Sequence, residues 1–287
     1  MPPSFVSLPT HNILRMNLTR AWTRGTATLV HGDFGVGKTF GVRHVLPAVA
    51  AAMAPVPSPG VNVPGLPQDR WGGHAFSPET SSKAVLFGMY ARLARVNAGL
   101  NRFKSYAEAQ LAQRVVAECK HLRLRVLVLD EVQELRSPQI TAVLNLADLA
   151  RDEGWSLGLV LIGNSASLGL IAATKQLGQR IETKHEMLPL RQPDVAMILP
   201  QLAPSLLSLA IGAVASATAA EVRAGRVSPW EDLCARVLAH SGGAWRPLEA
   251  LCAEVETLVG KGFSPASAME AALQTTLSPR HGAPSHG

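Results

Sequence analysis

Gly32-Asp33-Phe34-Gly35-Val36-Gly37-Lys38-Thr39 reads as a complete G-x-x-x-x-G-K-T loop, and its surroundings decide which fold carries it. The apolar run Thr26-Ala27-Thr28-Leu29-Val30 comes directly before it, and Phe40 to Ala52 can form a helix directly after. A strand, a glycine-rich turn and a helix in that order wrap consecutive backbone N–H groups around an anion at the positive end of a helix. Gly32, Gly35, Val36 and Gly37 would supply those amides. Lys38 would reach the β- and γ-phosphates, and the Thr39 hydroxyl would ligate Mg²⁺. A chance glycine-rich turn would not need the strand and helix. The motif therefore implies a nucleoside-triphosphate site.

Working outward, two continuous aliphatic runs, Leu124 to Leu129 and Leu157 to Ile162, read as buried strands, and His185 to Leu190 is a candidate for one more. Helices are expected over residues 10–24 (closed by Gly25), 81–96, 105–121 and 138–153, the last with Ser137 as cap and Gly154 as stop. Strands alternating with helices predict an α/β fold with a parallel sheet flanked by helices. Pro55 to Gly73 reads as irregular, with a weak strand signal around His74 to Phe76. Strand signals cease near Gln192. The expected organisation is an N-terminal helix and linker (1–25), an α/β nucleotide-binding subdomain (26–191), a small all-helical subdomain (192–277) and a disordered tail (278–287).

The strand ends carry the next chemistry. Asp130-Glu131 closes one aliphatic strand, and the carboxyl ends of parallel strands are where ligands bind. Asp130 would complete the Mg²⁺ site begun by Thr39, and Glu131 could serve as general base toward the attacking water. Two acidic residues merely opening a loop are the plainer alternative, which the upstream phosphate loop makes weak. Asn164 follows the next strand and could hydrogen-bond the γ-phosphate and the water, although an isolated Asn there is more often a turn residue. Arg180 precedes the last strand candidate, and Arg246 opens a helix after Gly242-Gly243-Ala244-Trp245. A lone arginine usually makes only a surface salt bridge.

Composition fits a globular protein with a large core: 287 residues, 47% hydrophobic and 17% charged. Cys119, Cys234 and Cys252 form neither a metal-ligand pattern nor a disulfide framework, as expected in a reducing cytoplasm. The N-terminus lacks the design of a signal peptide. Val195 to Ala220 is uncharged, but Pro200, Gln201, Pro204 and many Ala and Ser argue for soluble helices and no membrane. The net charge of +6 is concentrated: between Arg70 and Arg125, ten Lys/Arg face three Glu, a local +7. Such a block is either a polyanion-binding stripe or a solvated helical face.

Taken in order, the phosphate loop (Gly32–Thr39), the Asp130-Glu131 pair, Asn164, Arg180 and Arg246 resemble Walker A, Walker B, sensor 1, the arginine finger and sensor 2 of the AAA+ ATPases. Within them the chain resembles the transposition regulators of the TnsC, TniB and Mu B group. The pieces that carry this are the short N-terminal helix leading into the loop, Leu129-Asp130-Glu131-Val132-Gln133-Glu134-Leu135, Leu161-Ile162-Gly163-Asn164, Gln179-Arg180-Ile181 and the helical lid. The resemblance implies ATP and Mg²⁺ as cofactors and a ring or filament of identical subunits on duplex DNA. It also implies a transposase partner, with or without a targeting protein. Arg180 would reach the neighbour's nucleotide, and Arg246 the nucleotide of its own subunit. On charge alone, Arg92, Arg95, Arg102 and Lys104 are candidate DNA contacts. The resemblance departs from Mu B in one respect, since Mu B carries an N-terminal helix-turn-helix region and none is expected before Thr26 here. The alternatives are an NTPase switch or scaffold in signalling, defence or secretion that binds no nucleic acid, and a small-molecule or nucleotide kinase.

Overall fold

A computed structural model describes residues 8–53, 81–94, 106–173, 175–210 and 228–276. Contact clustering divides the chain into two units. The α/β unit runs over Pro9–Asp33 and Lys38–Met187, and the helical unit takes the described residues from Leu188 onward with Leu8 and Phe34–Gly37.

In the α/β unit, helix α1 (Pro9–Arg24) ends at Gly25, whose φ of +65° is a left-handed turn that a side chain would strain. Strand β1 (Ala27–His31) follows, and then helix α2 (Lys38–Met53). Helices α3 (Ser82–Ala94) and α4 (Glu108–His121) lead to β2 (Val126–Leu129), a 3₁₀ turn (Val132–Glu134) and α5 (Ser137–Asp152). The cap of α5 is Arg136 rather than Ser137. Arg136 holds the extended backbone, and its N–H donates to Gln139 Oε1 at 2.5 Å, so Ser137 is already in the first turn. Strand β3 (Gly158–Ile162), helices α6 (Ala166–Ala172) and α7 (Lys175–Arg180) and strand β4 (Ile181–Glu186) complete the unit.

The four described strands are all parallel, in the order β2-β3-β1-β4. Because successive side chains point to opposite faces, Leu29, Leu127, Leu129, Leu159 and Leu161 form one side of the sheet. They share a core with Leu86, Leu111, Val115, Val143 and Leu146 of α3, α4 and α5. Helix α1 lies against β1, β3 and β4 and buries Leu14, Leu18 and Ala21. The last strand occupies Ile181–Glu186 instead of residues 185–190. As the outer neighbour of β1 it buries only Ile181 and His185 fully, so its sequence alternates with charge and lacks the aliphatic run of a central strand. The expected strand near His74 and the irregular Pro55–Gly73 stretch lie outside the described residues, as does the tail 278–287.

The helical unit contains α8 (Gln192–Leu202), α9 (Pro229–Ser241), α10 (Trp245–Gly260) and α11 (Pro265–Thr276). Val195, Ile198, Leu199, Val237, Leu248 and Leu251 are buried in it. Ser228 caps α9, its hydroxyl accepting from Glu231 N–H at 3.1 Å while the Glu231 carboxylate accepts from Ser228 N–H at 3.0 Å. The uncharged stretch after α8 turns by 110° between Leu202 and Pro204, and no single described helix is long and apolar enough to cross a membrane.

Candidate nucleotide site

Parallel pairing brings the carboxyl ends of β1, β2 and β3 to one edge of the sheet, which is how residues remote in sequence meet there. The loop leaves β1 with Gly32, Gly35 and Gly37 at φ of 146°, 79° and 90°, conformations that L side chains rarely adopt. Its return into α2 at Lys38 places the loop amides at the start of a 16-residue helix. In the helical unit, Gly35 C=O accepts from Trp245 N–H at 2.7 Å, at the first residue of α10.

Within the α/β unit, Lys38 Nζ donates to Gly32 C=O at 2.9 Å and to Asp33 C=O at 2.7 Å. Burial lowers the Lys38 pKa below the ordinary lysine value, while the carboxylates of Glu131, Asp130 and Asp33 oppose that shift. Thr39 Oγ1 donates to Asp130 Oδ2 at 2.7 Å across 91 residues of sequence. A hydroxyl and a carboxylate at that separation, both hard oxygen donors, fit Mg²⁺.

Glu131 adopts a left-handed backbone (φ 56°, ψ 44°), uncommon for a non-glycine residue and costing about 1 kcal/mol. Its N–H donates to Asp130 Oδ1 at 3.0 Å. Gln133 Nε2 donates to Glu131 Oε2 at 2.5 Å, and Gln133 Oε1 accepts from Asn164 N–H at 3.2 Å. The Asn164 side chain also closes a local turn, with Oδ1 accepting from Ala166 N–H at 2.9 Å. Gln133 is not among the residues that the sequence motifs point to. Its one mark in the sequence is an amide two residues beyond the acidic pair, which does not say where the side chain points.

The arginines and the basic block are placed less directly. Arg180, the last residue of α7, donates to Asn145 Oδ1 at 2.8 Å and pairs with the Asp148 carboxylate, both on α5. Arg246 is the second residue of α10, next to the Trp245 amide that holds Gly35. Arg92 lies on α3 and is half-buried, whereas Arg95, Arg102 and Lys104 lie outside the described residues. Other members of the block have partners inside the chain. Lys120 pairs with Glu153 at 3.0 Å, Arg125 stacks 3.8 Å above the Trp155 ring, and Arg114 lies 4.5 Å from the Tyr106 ring. Stacked arginines keep their charge.

Comparisons with known proteins agree with this geometry. The family model described as "AAA domain" matches residues 22–169, just over half the chain. A search of curated protein sequences finds no match. Among solved structures, the ORC2 protein of Aeropyrum pernix, in ADPNP–ADP complexes, is similar with a TM-score of 0.61 at 13% identity, over 96% of this chain and 69% of that one. A Walker-type ATPase of Pyrococcus abyssi is similar at 0.52 and 14%, over 95% and 72%. The Aeropyrum pernix ORC1 protein, solved in complex with DNA, is similar at 0.51 and 18%, over 93% and 64%. At these identities the likeness is one of fold.

Proposed function

This chain belongs to the AAA domain family, and from that premise we propose that it is an ATP-dependent DNA-binding ATPase that assembles on duplex DNA and regulates transposition. The observation that carries the ATPase part is the 2.7 Å contact between Thr39 and Asp130, which joins the phosphate loop to the end of β2. Gly32, Gly35, Val36 and Gly37 hold the triphosphate through their amides, and Lys38 neutralises its β- and γ-oxygens. Mg²⁺ would be held by Thr39 and Asp130 and would neutralise charge on the same oxygens. Glu131 takes the proton from the attacking water, and Asn164 orients that water. Arg180 reaches the nucleotide of a neighbouring subunit in a ring or filament and exchanges Asp148 for a phosphate, while Arg246 contacts the nucleotide of its own subunit. The DNA part rests on the +7 block between Arg70 and Arg125, which would grip phosphates without reading sequence. A transposase, with or without a targeting protein, would recognise the ATP-bound assembly.

The test is ATP hydrolysis and negative-stain imaging of the purified chain with ATP, with ADP and without nucleotide, each with and without duplex DNA. ATP-dependent rings or filaments on DNA, dispersed by Arg180→Ala, are expected. Hydrolysis and assembly that ignore DNA would overturn the DNA-binding part and leave an NTPase switch or scaffold that uses no nucleic acid. Assembly unchanged by Arg180→Ala would overturn the role given to that arginine.

A further inference from the structure

The side-chain amide of Gln133 lies between the two groups that the proposed hydrolysis uses. One end donates to Glu131 Oε2 at 2.5 Å and the other accepts from the backbone N–H of Asn164 at 3.2 Å. Its orientation is forced: an N–H can be met only by the amide oxygen, which leaves the NH₂ for the carboxylate. The approach also depends on Gly163. A Cβ there would lie 3.0 Å from Gln133 Oε1 and 1.9 Å from Ser167 Oγ, so any side chain would displace the Ser167 hydroxyl and crowd the Gln133 amide.

Glu131 itself sits in a left-handed turn whose backbone N–H is already taken by Asp130. Its carboxylate is aimed by the contact it makes beyond that turn, and that contact is Gln133. With one oxygen occupied by an amide donor, the other is left to accept a proton, which is the division of labour a general base requires.

We propose that Gln133 is a positioning residue for hydrolysis: it aims the Glu131 carboxylate and ties it to the end of β3, so that Glu131 and Asn164 act as one assembly. This inference rests on the reading of Glu131 as the general base. Gln133 exchanges no proton; the water's proton goes to Glu131.

The test is a set of variants of the full chain, assayed for Mg-ATP hydrolysis, binding of a fluorescent ATP analogue and thermal melting. Gln133→Leu removes both hydrogen bonds. Gln133→Glu keeps an acceptor for Asn164 and loses the donor toward Glu131. Both are expected to lower kcat about tenfold, part of the roughly 10²–10⁴-fold that positioned acid–base catalysis supplies, with nucleotide affinity changed less than about twofold. In a Glu131→Gln background, Gln133→Leu should cost nothing further in single-turnover hydrolysis, because coupled groups are not additive.

Wild-type kcat in Gln133→Glu would overturn the proposal and leave Gln133 as a brace for Asn164 alone. Equal losses with and without Glu131, or a fall in melting temperature together with lost nucleotide binding, would overturn it in favour of a structural role. If Glu131→Gln abolishes hydrolysis while Gln133→Leu does not change it, this inference fails alone. If Glu131→Gln hydrolyses ATP at the wild-type rate, the base assignment fails and takes this inference with it.

Discussion

Lys38 shows how much of the site one residue carries. Its ammonium satisfies two loop carbonyls, at 2.9 and 2.7 Å, in a place where burial already disfavours the charge. Lys38→Ala is therefore expected to weaken ATP binding by at least about tenfold, the size of one charge-assisted hydrogen bond. Titration with a fluorescent nucleotide would check this, and unchanged affinity would remove Lys38 from the site. Glu131→Gln is expected to keep nucleotide affinity and lower kcat by at least about 10²-fold. Steady-state hydrolysis beside the same titration separates the two effects. The backbone of the loop was legible in the sequence, because positive φ at Gly35 and Gly37 favours glycine and a helix opens directly after, at Lys38. Gln133 was not legible. Its role depends on a backbone N–H 31 residues away, which meets it only once β2 and β3 pair.

At the scale of elements, central strands announced themselves and the outer one did not. β1 and β3 are buried at every position, so their aliphatic runs fixed their limits to within a residue or two. β4 exposes Glu182, Lys184 and Glu186, and was expected four residues too late. Helix α1 packs directly on β3, where Gly158 leaves no room for a side chain. A Cβ there would fall 2.2 Å from the carbonyl oxygen of Ala21. Gly158→Ala should cost more than about 2 kcal/mol, because backbone must move to admit the methyl group. Chemical denaturation would measure it, and a variant within about 0.5 kcal/mol of wild type would show that α1 shifts freely. Leu18→Ala in the same layer, fully buried on α1, should cost about 3 kcal/mol by leaving a cavity.

At the scale of the whole molecule, titration of buried groups sets how stability follows pH. Burial lowers the pKa of His31, with Glu186 opposing and Lys184 and Lys38 reinforcing, and burial with the neighbouring His31 lowers that of His185. Well above pH 6.5 both histidines are neutral folded or unfolded and cost nothing. As pH falls below 6.5 the unfolded chain takes up protons that the folded chain refuses, so stability declines, by at most about 1.4 kcal/mol per pH unit for each histidine. Melting temperatures from pH 8 to 5.5 should show this decline, and His185→Gln should flatten it. The cysteines give an independent gauge of the core. Burial pushes Cys119 and Cys252 up to about 12 and Cys234 to about 11, so thiol reagents at pH 8 should find all three unreactive until the chain unfolds. Strand signals in the sequence stop near Gln192, where α8 begins. The assignment of Phe34–Gly37 was not legible, because nothing local marks the bond from Trp245 N–H to Gly35 C=O. That bond bears on how the protein can be dissected. Four residues of the nucleotide loop group with helices encoded from Gln192 onward, and the amide that holds Gly35 comes more than 200 residues later, so a fragment ending at Met187 would carry the whole signature motif without the peptide group that holds its middle. The motif marks where nucleotide chemistry is written in the chain, but it does not mark a module that can be lifted out of it.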